Sequence, residues 1–500
     1  MSLDLYKYVY LIGVGGIGMS ALARYFNANG KKVWGYDSVR SDLCIELEKE
    51  GINISYKDEE LSIPELLRIS NSKILLVIYT PAIPKENQIF SFFTNRKFKT
   101  FKRAEVLGKI SKQSFTIAIA GTHGKTTTST MLAHILKQAD KKVTAFLGGI
   151  SRNYETNLLL NEKSEILIVE ADEFDRSFLQ IHPDIAIITS VAADHLDIYD
   201  GKSDLVLAFR KFASQVKEKG LLLVEKSIPF TLSFSEKVEI LNYSANANAD
   251  YFAKNIRVRK GRMFFDMMLS REHVTHLFLE KEIKTEDKNN KVIDYKVSDN
   301  FAVNNSNFSK RGKEVYEDIE LQMPGEHNIS NAVAASAVAF YLGVEYHKIL
   351  EGITSFKGIE RRFDKHIDTE RLVYIDDYAH HPDEVSATID TTKELYPSRE
   401  LLVVFQPHLF SRTKDFINEF ATSLQGADDL VLLNIYPARE KPIPGINSKA
   451  LLDLCNNPNK ELCSTDQLIS VLAKKKLDVL LTLGAGDIGT LVDPIKHILN

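Results

Sequence analysis

Cysteine is scarce in this chain of 500 residues: Cys44, Cys455 and Cys463 are the whole supply, and no two form a CxxC pair. A disulfide scaffold and a thiolate zinc site are excluded, and three free thiols fit a reducing cytosol. Charge of one sign is lacking too, since 63 Lys and Arg meet 67 Asp and Glu for a net charge of −4. That argues against a dedicated nucleic-acid binder, while leaving room for a local basic groove. Long apolar runs are missing. The longest, Ala332 to Val344, is broken by Ser336 and Gly343 and is too short to span a bilayer. The opening MSLDLYKYVYLIGVGG has no basic stretch followed by a cleavable apolar one. No secretory signal is expected, and a cytoplasmic location is. What remains is an ordinary globular balance, 44% apolar and 26% charged. The length exceeds one core and predicts about three domains.

Short β-branched runs alternate with helix-like stretches. The runs are Val9–Val14, Phe115–Ala120, Ile166–Glu170, Ile185–Thr189, Val373–Asp376, Leu401–Phe405, Leu430–Leu433 and Val479–Leu483. Several end in Gly, His or Asp just before a helical segment. This grammar predicts parallel α/β sheets whose ligands sit at the carboxyl ends of the strands. It begins afresh near residues 8, 115 and 373. From Lys281 to Glu317 the chain turns dense in Lys, Asn, Asp and Ser. Such a segment buries little and reads as a surface excursion of the central region.

Three loops carry chemistry. In Gly13-Val14-Gly15-Gly16-Ile17-Gly18 a strand runs into a helix, and Asp37 follows a second strand, KVWGYD. Glycines let backbone approach a diphosphate at a helix N-terminus, and the acid can take a ribose hydroxyl. Gly15, Gly16, Ile17, Gly18 and Asp37 are therefore candidate ligand contacts, for a dinucleotide or a nucleotide sugar alike. The second loop, Gly121-Thr122-His123-Gly124-Lys125-Thr126-Thr127, lies between strand and helix. Its amides and Lys125 can cradle a triphosphate, and the Thr126 hydroxyl can reach Mg²⁺. Ile119 stands where the standard pattern has its first glycine, so this is a shortened GxxGKT variant. The third comprises Glu170-Ala171-Asp172-Glu173 and Ala193-Asp194-His195-Leu196-Asp197, each after a strand. Hard oxygens at strand ends suit Mg²⁺; an imidazole is unusual for it but tolerable. Helix capping accounts equally well for Asp172, Glu173 and Asp197. Hydride transfer needs no ATP, so a chain with both phosphate loops is not a simple dehydrogenase.

Read in order, these loops join a longer set: RAEVL (103–107), GTHGKTTT (121–128), GEHNISN (325–331), ERRFD (360–364), DDYAHHPDEV (376–385), FQPHLFSRT (405–413) and GAGDIG (484–489). The set resembles the Mur ligase family over nearly the whole chain, and most closely its L-alanine-adding member. A recycling ligase of the same superfamily, which adds a preformed tripeptide, ranks second because its first loop usually departs from GGIGMS.

The resemblance implies three α/β domains. Residues 1–114 form a Rossmann-like domain for UDP-N-acetylmuramate. Residues 115–352 form a central P-loop domain for ATP. Residues 353–500 form a Rossmann-like domain for the amino acid. It implies an ATP-dependent ligase of peptidoglycan precursor synthesis that joins L-alanine to UDP-N-acetylmuramate. No nucleic-acid or membrane partner is implied, and a monomer or weak homodimer is expected. Lys125 would hold the β/γ-phosphates and Thr126 one Mg²⁺, with Glu170 and His195 holding a second. His327, Asn328 and Asn331 match adenine-contacting positions, although an N-cap role accounts for Asn328 as well. Arg361 or Arg362 would clamp phosphate. Asp377 would meet ATP ribose or phosphate. Tyr378 and His380 would form the alanine pocket, flanked by His408 and Arg412, with Arg412 on the carboxylate. Leu409 replaces an arginine common in relatives, which leaves more of that task to Arg412.

Overall fold

A computed structural model describes residues 3–84, 86–192, 199, 201–228, 237–259, 262–269, 278–280, 296–298, 314–438 and 440–499. The chain packs as two compact units. The first holds Met1–Lys254, Asp266–Ile319 and His327–Phe356; the second holds Asn255–Phe265, Glu320–Glu326 and Lys357–Asn500.

The first unit carries two sheets. One is built from β1 (Tyr8–Ile12), β2 (Lys32–Tyr36), β3 (Asn53–Ser55), β4 (Leu75–Tyr79) and β5 (Thr100–Lys102), in the order β3-β2-β1-β4-β5. All of its pairings are parallel. The order reverses beside β1, so a crevice opens at its carboxyl end, where the 13–18 loop lies. The second sheet contains β6 (Phe115–Ala120), β7 (Val143–Ser151), β8 (Thr156–Leu159), β9 (Ile166–Ala171), β10 (Ile185–Ile188), β11 (Leu221–Glu225) and β12 (Glu239–Ser244). Their order is β12-β11-β10-β6-β9-β7-β8. All are parallel except the β7–β8 hairpin. β6 sits between β9 and β10, so its following loop also opens at a switch point.

The central strands are buried on both faces, which is why they read as unbroken apolar runs. The first helix, Ile17–Ala28, buries Met19, Ala21, Leu22, Ala23 and Phe26 and packs on β7 and β8. One apolar cluster consequently joins Leu11, Leu22 and Phe26 to Phe146, Leu158 and Val169. β13 (Tyr251–Arg259) and β14 (Arg262–Leu269) straddle the division between units, β15 (Phe278–Glu280) pairs antiparallel with β16 (Lys296–Ser298), and β17 (Glu314–Leu321) follows. Apart from 296–298 and 314–317, the polar excursion 281–317 lies outside the described residues.

The second unit is built on β18 (Asp364–Asp368), β19 (Val373–Asp377), β20 (Leu401–Phe405), β21 (Asp429–Leu433), β22 (Asn459–Cys463) and β23 (Val479–Leu483), ordered β18-β19-β23-β20-β21-β22. β18 is antiparallel and the rest are parallel. Alternate residues feed opposite faces: Ile375, Val403 and Phe405 pack with Phe420, while Tyr374, Val404 and Leu480 pack with Ile488. The expected strands Phe115–Ala120, Leu401–Phe405 and Val479–Leu483 are observed with those bounds, and the other five with ends moved by one or two residues.

Candidate active site

The loop after β6 enters a 14-residue helix, Lys125–Gln138, through Gly124 in the left-handed region at φ 81°. Gly121 is also left-handed, and a Cβ there would strike Thr189 Oγ1. The end of β10 holds the loop in place. Ser190 Oγ accepts from the His123 N–H at 2.7 Å, and Ser190 O accepts from the Thr122 N–H at 3.2 Å. The helix thus presents unpaired amides at its N-terminus, an anion site by construction. Thr127 is buried in the first turn. Asn331, on the helix Glu326–Tyr341, accepts from Thr128 Oγ1 at 3.1 Å and donates to Asn328 Oδ1 at 3.2 Å. Asn328 and Asn331 therefore share one buried face behind the loop, while His327 is exposed.

Lys125 folds back on its own loop. Its ammonium donates to Gly121 O at 2.5 Å and meets Glu173 Oε2 at 2.7 Å. Burial opposes that charge, but Glu173, Asp172 and Glu170 outweigh it and raise the ammonium above its ordinary range. Thr126 Oγ1 donates to Glu170 Oε2 at 2.9 Å. The wall before this pair is Gly148, where a Cβ would collide with Glu170 Oε2 and lie 2.8 Å from Thr126 Oγ1. A hydroxyl and a carboxylate beside a backbone-only wall are the hard-oxygen donors Mg²⁺ takes, so these residues fit that ion. His195, expected to join Glu170 on a second ion, lies outside the described residues, as do the neighbouring Asp194 and Asp197.

A cavity of about 250 Å³ has the glycine-loop residues Gly16 and Gly18 together with Thr80, Arg103, Glu170 and Asp172 among its lining. Ile17 is half-exposed at the mouth. Asp37 accepts from the Gly15 N–H at 2.8 Å and from the Val39 N–H at 3.2 Å. The acid expected on a ribose thus also fixes the glycine loop. A Cβ on Gly15 would lie 2.6 Å from Cys44 Sγ and 3.0 Å from Asp37 Oδ2, so the protein's own packing demands glycine there. The helix behind the loop is pinned by the fully buried Asn157 of β8, which donates to Ile17 O at 2.6 Å and Ser20 Oγ at 2.8 Å and accepts from Arg24.

In the second unit, a cluster forms at the carboxyl ends of β19 and β20. Asp377 is buried and accepts from the Phe363 N–H at 2.6 Å and the Ala379 N–H at 2.7 Å. Burial pushes its carboxyl up to about 6. His380 Nδ1 lies 3.0 Å from the Tyr378 carbonyl, which places the proton of the neutral ring on Nδ1. His408 Nδ1 lies 3.3 Å from Arg412 Nη1 and can only accept, so its proton sits on Nε2. Burial lowers both imidazoles to about 4. The two rings are 5.9 Å apart, and His408 stacks on Tyr436 at 5.8 Å. Leu409 occupies the left-handed region at φ 74°, a strained backbone for a branched side chain, as the chain turns between His408 and Arg412. Arg361 and Arg362 differ sharply. Arg361 is bound to Asp376 Oδ2 at 2.8 Å and Gly484 O at 2.6 Å. Arg362 is 31% exposed and stands 4.0 Å from Glu384. Both guanidinium carbons lie 5.3 Å from the Tyr378 ring centre.

The sequence attaches no role to Asn157, Thr189, Ser190 or Asp376, and leaves Glu173 between a hard-oxygen ligand and a helix cap. Arg103 belonged to a quoted motif without a role. Three domain families match along the chain: "Mur ligase family, catalytic domain" over 8–115, "Mur ligase middle domain" over 119–280, and "Mur ligase, glutamate ligase domain" over 361–486. The chain is 43% identical over 493 residues to the UDP-N-acetylmuramate–L-alanine ligase of Christiangramia forsetii, covering 99% of this chain and 98% of the relative. Its fold is similar to the crystal structure of the UDP-N-acetylmuramate–alanine ligase from Thermotoga maritima, with a TM-score of 0.76, 25% identity, and coverage of 98% and 99%. A murein peptide ligase from Psychrobacter arcticus follows at TM-score 0.67 and 20% identity, covering 99% and 98%. The three-part α/β architecture, the order of the motifs and the full-length identity converge: the chain belongs to the Mur ligase family.

Proposed function

We propose that this chain joins L-alanine to UDP-N-acetylmuramate with cleavage of ATP to ADP and phosphate, supplying a peptidoglycan precursor in the cytoplasm. The single observation that carries the reading is the shared cavity, which is lined by Gly16, Ile17 and Gly18 and by Glu170, the hydrogen-bond partner of Thr126. A nucleotide sugar and an ATP γ-phosphate seated on these loops meet end to end. The three functional regions are residues 1–114 for the sugar nucleotide, 115–352 for ATP and 353–500 for the amino acid.

A carboxylate is a poor electrophile. Transfer of the γ-phosphoryl group to it gives an acyl phosphate, which the alanine amine attacks with loss of phosphate. The protein's task is positioning and charge neutralisation. Lys125 exchanges Glu173 for phosphate oxygens, and the helix amides from Gly124 onward hold the rest of the triphosphate. Asn328 and Asn331 support the base side of the nucleotide site. Thr126 would hold one Mg²⁺, and Glu170 with His195 a second; the ions would neutralise charge on the transferring group. Arg361 or Arg362 would clamp phosphate, and Asp377 fixes the backbone at Phe363 and Ala379 beside them. Arg412 takes the alanine carboxylate while neutral His380 and His408 line the pocket.

The test is incubation with ATP, Mg²⁺, UDP-N-acetylmuramate and either L-alanine or the tripeptide, followed by the mass of the product. An alanyl product is expected. The tripeptide as the better substrate would transfer the chain to the recycling reaction, whose structural neighbour shares the fold at 20% identity.

A further inference from the structure

Arg103 is the one cation among the described residues lining the shared cavity, opposite the acids Glu170 and Asp172. It is the first residue of the helix Arg103–Ser111, whose start is fixed by the Lys102 N–H donating to Glu105 Oε2 at 2.7 Å. From that anchored backbone its side chain reaches across to the first turn of the helix Ile17–Ala28. A Cβ on Gly18 would collide with Arg103 Nη1 and lie 3.0 Å from Cδ. Gly18 is therefore open because a guanidinium fills the space, and that guanidinium borders the helix N-terminus where a diphosphate would lie. The charge is 26% exposed and holds Asp172 through one long contact, Nη2 to Oδ2 at 3.3 Å. A single long bond to one carboxylate oxygen leaves much of a five-donor fork available.

We infer that Arg103 binds the diphosphate of the sugar nucleotide, exchanging Asp172 for phosphate oxygens. Amides at the helix N-terminus supply partial positive charge, and the two acids of the cavity repel the entering anion. A full cation beside the glycine loop offsets both. The planar fork suits phosphate oxygens bidentately, which a lysine does not reproduce. This inference rests on the reading of the 13–18 loop as the sugar-nucleotide site.

The experiment titrates wild type, Arg103→Ala and Arg103→Lys with UDP-N-acetylmuramate, with UDP-N-acetylglucosamine and with ATP. UDP-N-acetylglucosamine shares the diphosphate but lacks the lactyl carboxylate. Loss of one charge-assisted contact is expected to weaken both sugar nucleotides by about 10–100-fold in Arg103→Ala, with ATP affinity unchanged. Arg103→Lys should recover part of that loss, which also covers the case in which the alanine variant folds poorly. Unchanged sugar-nucleotide affinity overturns the inference. So does a loss confined to UDP-N-acetylmuramate, which would assign Arg103 to the carboxylate instead. Wild-type protein that binds neither sugar nucleotide would overturn the underlying reading of the loop, an outcome distinct from failure at Arg103.

Discussion

Replacing Lys125 by methionine separates two roles that the structure combines. The ammonium and the Glu173 carboxylate are 2.7 Å apart, with side chains only 13% and 1% exposed. Removing one partner of so buried a pair leaves an uncompensated charge and costs about 3–5 kcal/mol. Lys125→Met should therefore unfold at lower urea as well as lose activity. Replacing both, Lys125→Met with Glu173→Gln, removes both charges together, and the stability should return most of the way to wild type. Turnover should not return, because the cation at the transferring phosphoryl group is still missing, a loss of about 10²–10³ in rate. Trp34, the chain's one tryptophan, lies in β2 of the first unit, so its fluorescence follows the unfolding of the unit that holds the pair. ADP release in a single turnover gives the rate. A Lys125→Met protein as stable as wild type would refute the buried pair. A double variant restored in both stability and turnover would refute the assignment of Lys125 to phosphate.

Asn157→Ala strips bonds from the Ile17 carbonyl and the Ser20 hydroxyl; about 1–3 kcal/mol of stability should go, and KM for UDP-N-acetylmuramate should rise while KM for ATP holds. Arg412→Ala should raise KM for L-alanine far more than KM for ATP, and glycine, one methyl smaller, should be a poorer substrate by roughly 10–200-fold in kcat/KM; equal use of glycine would mean the pocket lies elsewhere. With folded values lowered to about 4, His380 and His408 contribute stability that is complete above the unfolded imidazole value of roughly 6.5 and is lost as pH falls towards 4. Asp377 has the opposite sign: raised to about 6, it stabilises fully in acid and loses that contribution as pH rises through 6. Ring titrations by NMR that place either histidine above pH 6, or Asp377→Asn gaining nothing on wild type between pH 4 and 7, would refute these assignments.

Strands buried on both faces were legible because apolar residues dominate them. Phe115–Ala120 is an apolar run closed by Gly121, and its bounds hold to the residue. β7 and β8 were not legible. β7 is partly exposed over Gly148–Ile150, where it passes Thr126 and Glu170, and β8 spans only Thr156–Leu159. The two glycine loops were legible as strand–helix junctions because glycine there has a local cause. Their supports were not, because those are contacts distant in sequence. Glu173 reaches Lys125 from 48 residues away, and Ser190 reaches His123 from 67. Asp37 was recognised as an acid at a strand end, but its grip on the Gly15 amide is a tertiary fact. Arg361 and Arg362 are indistinguishable as letters. Backbone separates them, since φ of 59° at Arg361 accompanies a side chain committed to Asp376 and Gly484.

Activating a carboxylate requires two anions to be held close, against their repulsion, at a fixed separation. In the first unit that separation is set by one hairpin. β7 carries Gly148 past Thr126 and Glu170, while Phe146 and Leu147 of the same strand line the cavity. Its partner β8 carries Asn157, which bolts the first turn of the glycine-loop helix. The 121–127 loop and the 13–18 loop are thus registered through neighbouring strands and not through a linker. A packing change in the hairpin acts on both loops at once, and the small residue at 148 is demanded by the Thr126–Glu170 pair and by the cavity together. The sequence distance between the two phosphate loops, more than 100 residues, therefore carries no information about their spatial relation, which β7 and β8 supply.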